Sequence, residues 1–197
     1  MDKHDVEEKL GNDYEDYRIT IRTVASSTNK RALIATVLPP YATSVHNLWS
    51  QRHPQKMDIA QKLFIVGIIN SYTLDFYLRQ LVEKNISKFF LKQLPIPRIE
   101  DIKDADNIIQ IVKELLKKNE GFYTDLDTLI PGNNYSNYNE NALLAELDAR
   151  IMLDYGITRQ EVVTILESFK SKKHTKDVEE DEQRILDKYD QLTGGAK

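Results

Sequence analysis

From Tyr17 to Ala25, in YRITIRTVA, apolar and polar positions alternate. Ile19, Ile21 and Val24/Ala25 fall on one side, and Arg18, Thr20 and Arg22 on the other. A period of two predicts a β-strand with both arginines on its polar, exposed face. SSTNK (26–30) is turn chemistry, with Asn29 suited to a turn position. RALIATVL (31–38) is apolar and β-branched, a second strand. Five residues connect the two, so an antiparallel hairpin is expected. Pro39-Pro40 ends the second strand, because proline cannot donate to a ladder. Residues 42–56 read as a loop with a short extended piece around Val45 to Trp49.

From Met57 to Glu83 the period becomes helical. Gly67 or Asn70-Ser71 is where this long helix should break or bend. FFLKQL (89–94) reads as a short strand closed by Pro95-Ile96-Pro97. A helix is predicted over about 101–118, and another over 139–155 with Leu144, Leu147, Ile151 and Tyr155 on one face. Gly156 is a natural C-terminal cap for it. Thr158 with Glu161 forms a capping box, and Ile157 with Val162 a staple, opening a helix to about Phe169. Residues 170–182 are charged and read as a loose connection before a last short helix over 182–191. The fold class is therefore α+β: a small antiparallel hairpin or sheet with a long helix, followed by an all-α C-terminal part.

The 197 residues suffice for one domain with an appendage. The absence of cysteine removes disulfides, thiol catalysis and thiolate metal sites, and fits a cytoplasmic protein. The acidic, polar start MDKHDVEEKLGNDYEDY is unlike a secretory signal. The most apolar run, Leu63 to Leu78, holds Asn70, Ser71 and Asp75 and is too short and polar to span a bilayer. Charge divides the chain more sharply. The net formal charge of -4 resolves into -5 over residues 1–16, +9 over 17–98 and -8 over 99–197. These become three expected regions: an acidic extension (1–16), a β/α module (17–98) and a helical scaffold or spacer (99–197). A +9 segment between acidic ones is the footprint of a polyanion-binding surface, or of a solvated face where charges cluster.

Catalytic chemistry finds no foothold. Leu38-Pro39-Pro40-Tyr41 looks like the Asn-Pro-Pro-Tyr tetrad of adenine-amino methylases, but Leu38 has no carbonyl to accept from an amino group. Asp101-Ile102-Lys103 sits at a predicted helix start, where an acid suits the helix dipole. His4, His46, His53 and His174 are scattered and lack metal spacing. No Lys-Ser/Thr follows the Pro131-Gly132-Asn133-Asn134 turn, so it is no phosphate loop. Tyr135 and Tyr138 could stack on bases or pack inside.

Three stretches carry a resemblance. They are YRITIRTVASSTNKRALIATVLPP, IINSYTLDFYLRQLVEKNISKFFLKQLPIP and NALLAELDARIMLDYGITRQEVVTILESF, and the late EQRILDKYDQL fits the same order. Together they resemble the C-terminal target-recognition (specificity) region of type IIG and type ISP single-chain restriction-modification enzymes, which are adenine-N6 DNA methyltransferases. Type I specificity subunits share a looser version of the second stretch. The resemblance implies DNA binding without catalysis. The methylase and nuclease, with their S-adenosylmethionine and Mg, would lie elsewhere, and this chain would need no cofactor. It would be a piece of a larger enzyme, a truncated gene product or a separate subunit.

Recognition modules anchor phosphates with Arg and Lys and read base edges with Arg, Asn or Gln. The candidates are Arg18 and Arg22 on the strand, and Thr28, Asn29, Lys30 and Arg31 at the turn. Lys84, Asn85, Ser87 and Lys88 form a second loop. For Arg31 a structural salt bridge competes with base reading, and for Asn85 a helix cap does. Arg79, on a mostly apolar helix, can snorkel to solvent. Expected partners are duplex DNA and the parent's methylase or nuclease domain, with no membrane and no small-molecule ligand. The alternative is an assembly module that docks on that partner and ignores free DNA.

Overall fold

The structure is a computed structural model. It describes residues 11–24, 29–44, 47–81, 86–119, 121–132, 135–171 and 173–194. A three-stranded antiparallel sheet has the order β2-β1-β3. β1 (Arg18–Arg22) pairs with β2 (Ala35–Leu38) from Arg18↔Leu38 to Ile21↔Ala35, and with β3 (Leu48–Ser50) through Ile21↔Trp49. The extended piece near Trp49 is thus a full sheet partner. The predicted hairpin is present, but its second strand starts at Ala35 rather than Arg31. Residues 31–33 leave the ladder, whose last bond runs from Arg22 N to Ile34 O, because Asp75 captures the Ala32 N–H at 2.8 Å and the Arg22 guanidinium takes the carbonyls of Arg31 and Ala32.

Among the described residues eight helices follow, so the fold is α+β and mostly helical. α1 (Ile59–Ile69) opens with an Asp58/Gln61 capping box, which satisfies first-turn N–H groups. It ends at Asn70, whose amide binds both the N–H and the carbonyl of Ala35 at 2.8 Å. The Ser71 hydroxyl donates to Ile68 O and accepts from Leu74 N, turning the chain into α2 (Tyr72–Leu81). The break falls at Asn70-Ser71 and not at Gly67. Gly67 serves packing instead. A Cβ there would stand 2.7 Å from Ile108 Cγ2, so its bare backbone lets α1 close on α4 (Ala105–Lys117).

Short α5 (Leu126–Leu129) leads to α6 (Glu140–Asp154). On α6 the buried leucine of the first turn is Leu143, while Leu144 stands 38% exposed at the rim; Leu147 and Ile151 are buried as the periodicity predicts. Gly156, at φ +69, lets its own N–H and that of Ile157 bond back to Leu153 and Met152. The Thr158/Glu161 capping box opens α7 (Arg159–Glu167).

Two expectations fail. FFLKQL forms no strand: α3 (Lys88–Leu91) occupies it, with Leu91 and Lys92 N–H groups bonded one turn back to Ser87 and Lys88. A six-residue apolar run does not distinguish the two states by periodicity. The last helix is also longer than expected. α8 (Thr175–Leu192) covers the predicted loose connection, because Val178 shares a buried face with Ile185, Leu186 and Tyr189. That lone valine in a charged stretch hides the period.

One buried cluster runs from Tyr17 and Ile19 through α1 to Ile108, Leu147 and Ile151. A second joins Tyr72 to α6, α7 and α8. The expected boundary at 98/99 passes through the first cluster, which draws on both sides of it. Among the described residues no helix is long and apolar enough to cross a membrane.

Candidate nucleic-acid interface

Apart from Lys62, buried in α1, the described cations of residues 17–98 meet two different fates. Along β1 and at the hairpin turn they are engaged within the fold, by backbone carbonyls or by carboxylates. Arg18 is not on an exposed face: it is 1% exposed, and its guanidinium donates to Ala42 O. Burial draws its pKa down, and Asp13 partly restores it. The alternation misleads here because the Gly11–Glu15 turn and the loop after β2 cover the strand's second face, tied by a Tyr41 N–H to Tyr14 O bond of 2.6 Å. Arg22 is half-buried, and its Nη2 donates to Arg31 O and Ala32 O at 2.9 and 3.2 Å.

Arg31 is held more tightly. Its Nη2 donates to Asn70 O, its Nε lies 3.3 Å from Asp75, and its Nη1 lies 3.8 Å from Asp148. The guanidinium carbon sits 4.1 Å over the Tyr72 ring. Of the two readings left open for Arg31, this is the salt bridge. Lys30 Nζ reaches Asp181 on α8 at 2.8 Å. Arg79 does not merely snorkel. It pairs with Asp75 at 3.2 Å, donates to the carbonyls of Asn29 and Lys30, and lies 4.2 Å over Phe169. Asn29 stays exposed, its carbonyl occupied. The acids that hold this turn come from α2, α6 and α8, so the acidic helices are counter-ions to the cationic segment. Thr28, Lys84 and Asn85 lie outside the described residues.

The second group is open. Lys88 is exposed, with its ammonium 4.7 Å over the Trp49 ring. Ser87 is half-buried and starts α3 without a side-chain cap bond. The Lys88–Trp49 contact joins two stretches that contain no acidic residue, 32–57 and 84–99. Arg52, His53, Lys56, Lys92 and Arg98, on the same stretches, are all exposed. Arg52 is paired at 3.3 Å with Asp13 but remains 59% exposed. Phe89, 69% exposed, stands next to Lys88. Backbone bonds from Gln51 N to Ile19 O and from Ile86 N to Thr23 O anchor both stretches to β1 and its end. Lys88 with the Trp49 ring, and exposed Phe89 beside it in sequence, supply the cation and ring types that bind phosphates and stack on bases.

Of the cations on these two stretches the sequence reading singles out Lys88 alone as a contact; it does not name Trp49, Arg52, Lys56 or Lys92 as one. The signal that could have found them is the pair of acid-free runs. Tyr135 packs inside, its hydroxyl 2.9 Å from Asn107 Oδ1, with Tyr138 edge-on against it. Among the described residues no group of His and acidic side chains is arranged to hold a metal ion. No family model, no curated protein and no solved structure matches this chain.

Proposed function

We propose that this chain is the DNA-binding specificity module of a restriction-modification system. It holds duplex DNA across the face formed by β3 and α3 for an adenine methyltransferase or nuclease carried elsewhere. It performs no chemistry and uses no cofactor itself. The observation that carries this reading is the Lys88–Trp49 contact, which brings together two acid-free stretches that carry exposed cations. The sequence resemblance supplies the biological setting. The contact surface moves away from Lys30 and Arg31, whose charges are already balanced by Asp181, Asp75 and Asp148.

Exposed Phe89 favours a second use of the same face, docking on an acidic protein partner such as the parent methylase. A labelled duplex titrated across a salt series separates the two. If Arg52, Lys56, Lys88 and Lys92 each displace a counter-ion, affinity falls about a hundredfold as salt rises fourfold. A flat salt response, or no duplex binding together with retention of a methylase, assigns the face to protein docking.

A further inference from the structure

A cavity of about 440 Å³ lies between the start of β2 and helices α1, α4, α6 and α8, well away from Trp49 and Lys88 in the sequence. Its apolar wall is made by Val66 from α1, Val112 and Leu116 from α4, Leu147 from α6 and Ile185 from α8. Ile34 and Leu144 also line it and are 40% and 38% exposed, so they form its rim. Its size lies within the range of pockets that enclose small organic molecules.

Polar groups line it too, and those around Arg31 are mostly occupied, whereas Glu140 and Asn141 lie at the start of α6. Asn70 uses both amide groups on Ala35. Tyr72 donates its N–H to Asp148 Oδ1 and its hydroxyl to Asp181 Oδ2, each at 2.6 Å. Asp181 also takes Lys30 at 2.8 Å and Arg184 at 3.1 Å. Beside Tyr72, Asp148 Oδ2 faces Arg31 Nη1 at 3.8 Å, too far for a hydrogen bond. Among the described residues neither atom has another hydrogen-bond partner. Asp148, 3% exposed as a residue, thus offers an acceptor beside a donor in a mostly apolar cavity.

A ligand edge with an N–H next to a C=O matches that pair atom for atom. Net charge on the ligand is disfavoured. An anion would meet Asp148, Asp181 and Glu140, and a cation Lys30, Arg31 and Arg184. We propose that the cavity binds a neutral, largely apolar small molecule through one amide-like edge, its N–H given to Asp148 and its C=O accepting from Arg31. The motifs announce no small ligand; the tertiary structure assembles this site from segments more than a hundred residues apart.

The test uses three probes of similar bulk on the full chain at neutral pH: biphenyl-4-carboxamide, its N,N-dimethyl amide and biphenyl-4-carboxylate. Affinities are read by NMR shift titration. The carboxamide should bind, and the other two should bind at least about tenfold more weakly, since one lacks the donor and the other brings a charge. Leu144→Trp fills the rim at an exposed position and should abolish carboxamide binding without lowering the melting temperature. Asp148→Asn should weaken it by about tenfold, because an amide N–H₂ then faces Arg31. If that variant does not fold, Leu144→Trp decides. Equal binding of all three probes, absence of carboxamide binding at near-millimolar concentration, or unchanged binding to Leu144→Trp overturns the proposal.

Discussion

Two cationic regions of one small molecule behave oppositely. At the hairpin turn, Arg31 is bound by two carboxylates, a carbonyl and a ring, and Lys30 by a third carboxylate. In the stretches around β3 and α3, Lys88 leans on Trp49, and Lys56 and Lys92 stay exposed. Both regions come from the +9 segment, so net charge does not separate them. The difference lies in what packs opposite. The turn is covered by helices carrying Asp75, Asp148 and Asp181, whereas the other face is built from stretches with no acid of their own. Buried cations need partners, because desolvating a lone charge costs several kcal/mol; exposed ones need none. A charge excess locates a polyanion surface only after the internal counter-ions are subtracted.

The largest test of this contrast removes the hub of the buried side. Asp75 is 0% exposed and holds Ala32 N, Arg31 and Arg79. Asp75→Ala should lose about 3–5 kcal/mol of stability, read from urea unfolding, because two guanidinium groups lose their shared partner. A loss below about 1 kcal/mol would mean that the turn cations are solvated like those of the other face.

Asp148 gives the next effect. Burial pushes its carboxyl up to about 6 from 3.8, with Asp181 and Asp75 adding to the rise; Arg31 and the Tyr72 N–H pull the other way but do not win. The folded chain therefore keeps a proton that the unfolded chain releases. The associated stability is fully present below about pH 4 and is lost as pH rises to about 6 and beyond, roughly 3 kcal/mol in all. Asp148→Asn should remove this slope, seen as a pH-dependent difference from the wild-type chain in urea unfolding between those limits. A difference that stays constant with pH would show that Asp148 ionises freely.

On the open side, Lys88→Glu with Lys92→Glu should weaken duplex binding between about tenfold and a hundredfold and flatten its salt slope by about two. Melting should stay unchanged, since both side chains are exposed. An unaffected affinity would detach this face from DNA. The smallest effect belongs to Lys30→Ala, whose pair with Asp181 is partly exposed. A stability loss of at most about 1 kcal/mol and unaltered duplex affinity are expected. A large affinity loss would return the contact surface to the hairpin turn.

Much of the fold is legible in the sequence because its signals are local. The β1/β2 pairing follows from two short strand patterns. The helices near 105–117, 140–154 and 159–167 follow from apolar periodicity and caps such as Thr158 with Glu161 and Gly156. The break at Asn70-Ser71 is one of two options, and Asn70's bonds to Ala35 choose between them. Helix α3 escapes the pattern because an apolar run between Ser87 and Pro95 fits either state. The start of helix α8 escapes it because Val178 is the lone apolar residue in a charged stretch. At the candidate site, Lys88 is legible as a cation, but it opens helix α3 instead of lying in the expected loop. The burial of Arg18 is not, because the segment that covers it precedes the strand and is itself polar and acidic.

By itself the sequence determined where most helices begin and end, where prolines stop a strand, and that positive charge concentrates before residue 99. Only the tertiary structure decided which charges remain available. Asp148 lies 117 residues from Arg31, and Asp181 lies 151 from Lys30. Local patterns fix local backbone geometry, whereas the neutralisation of a cation depends on distant carboxylates that chain folding brings within about 4 Å.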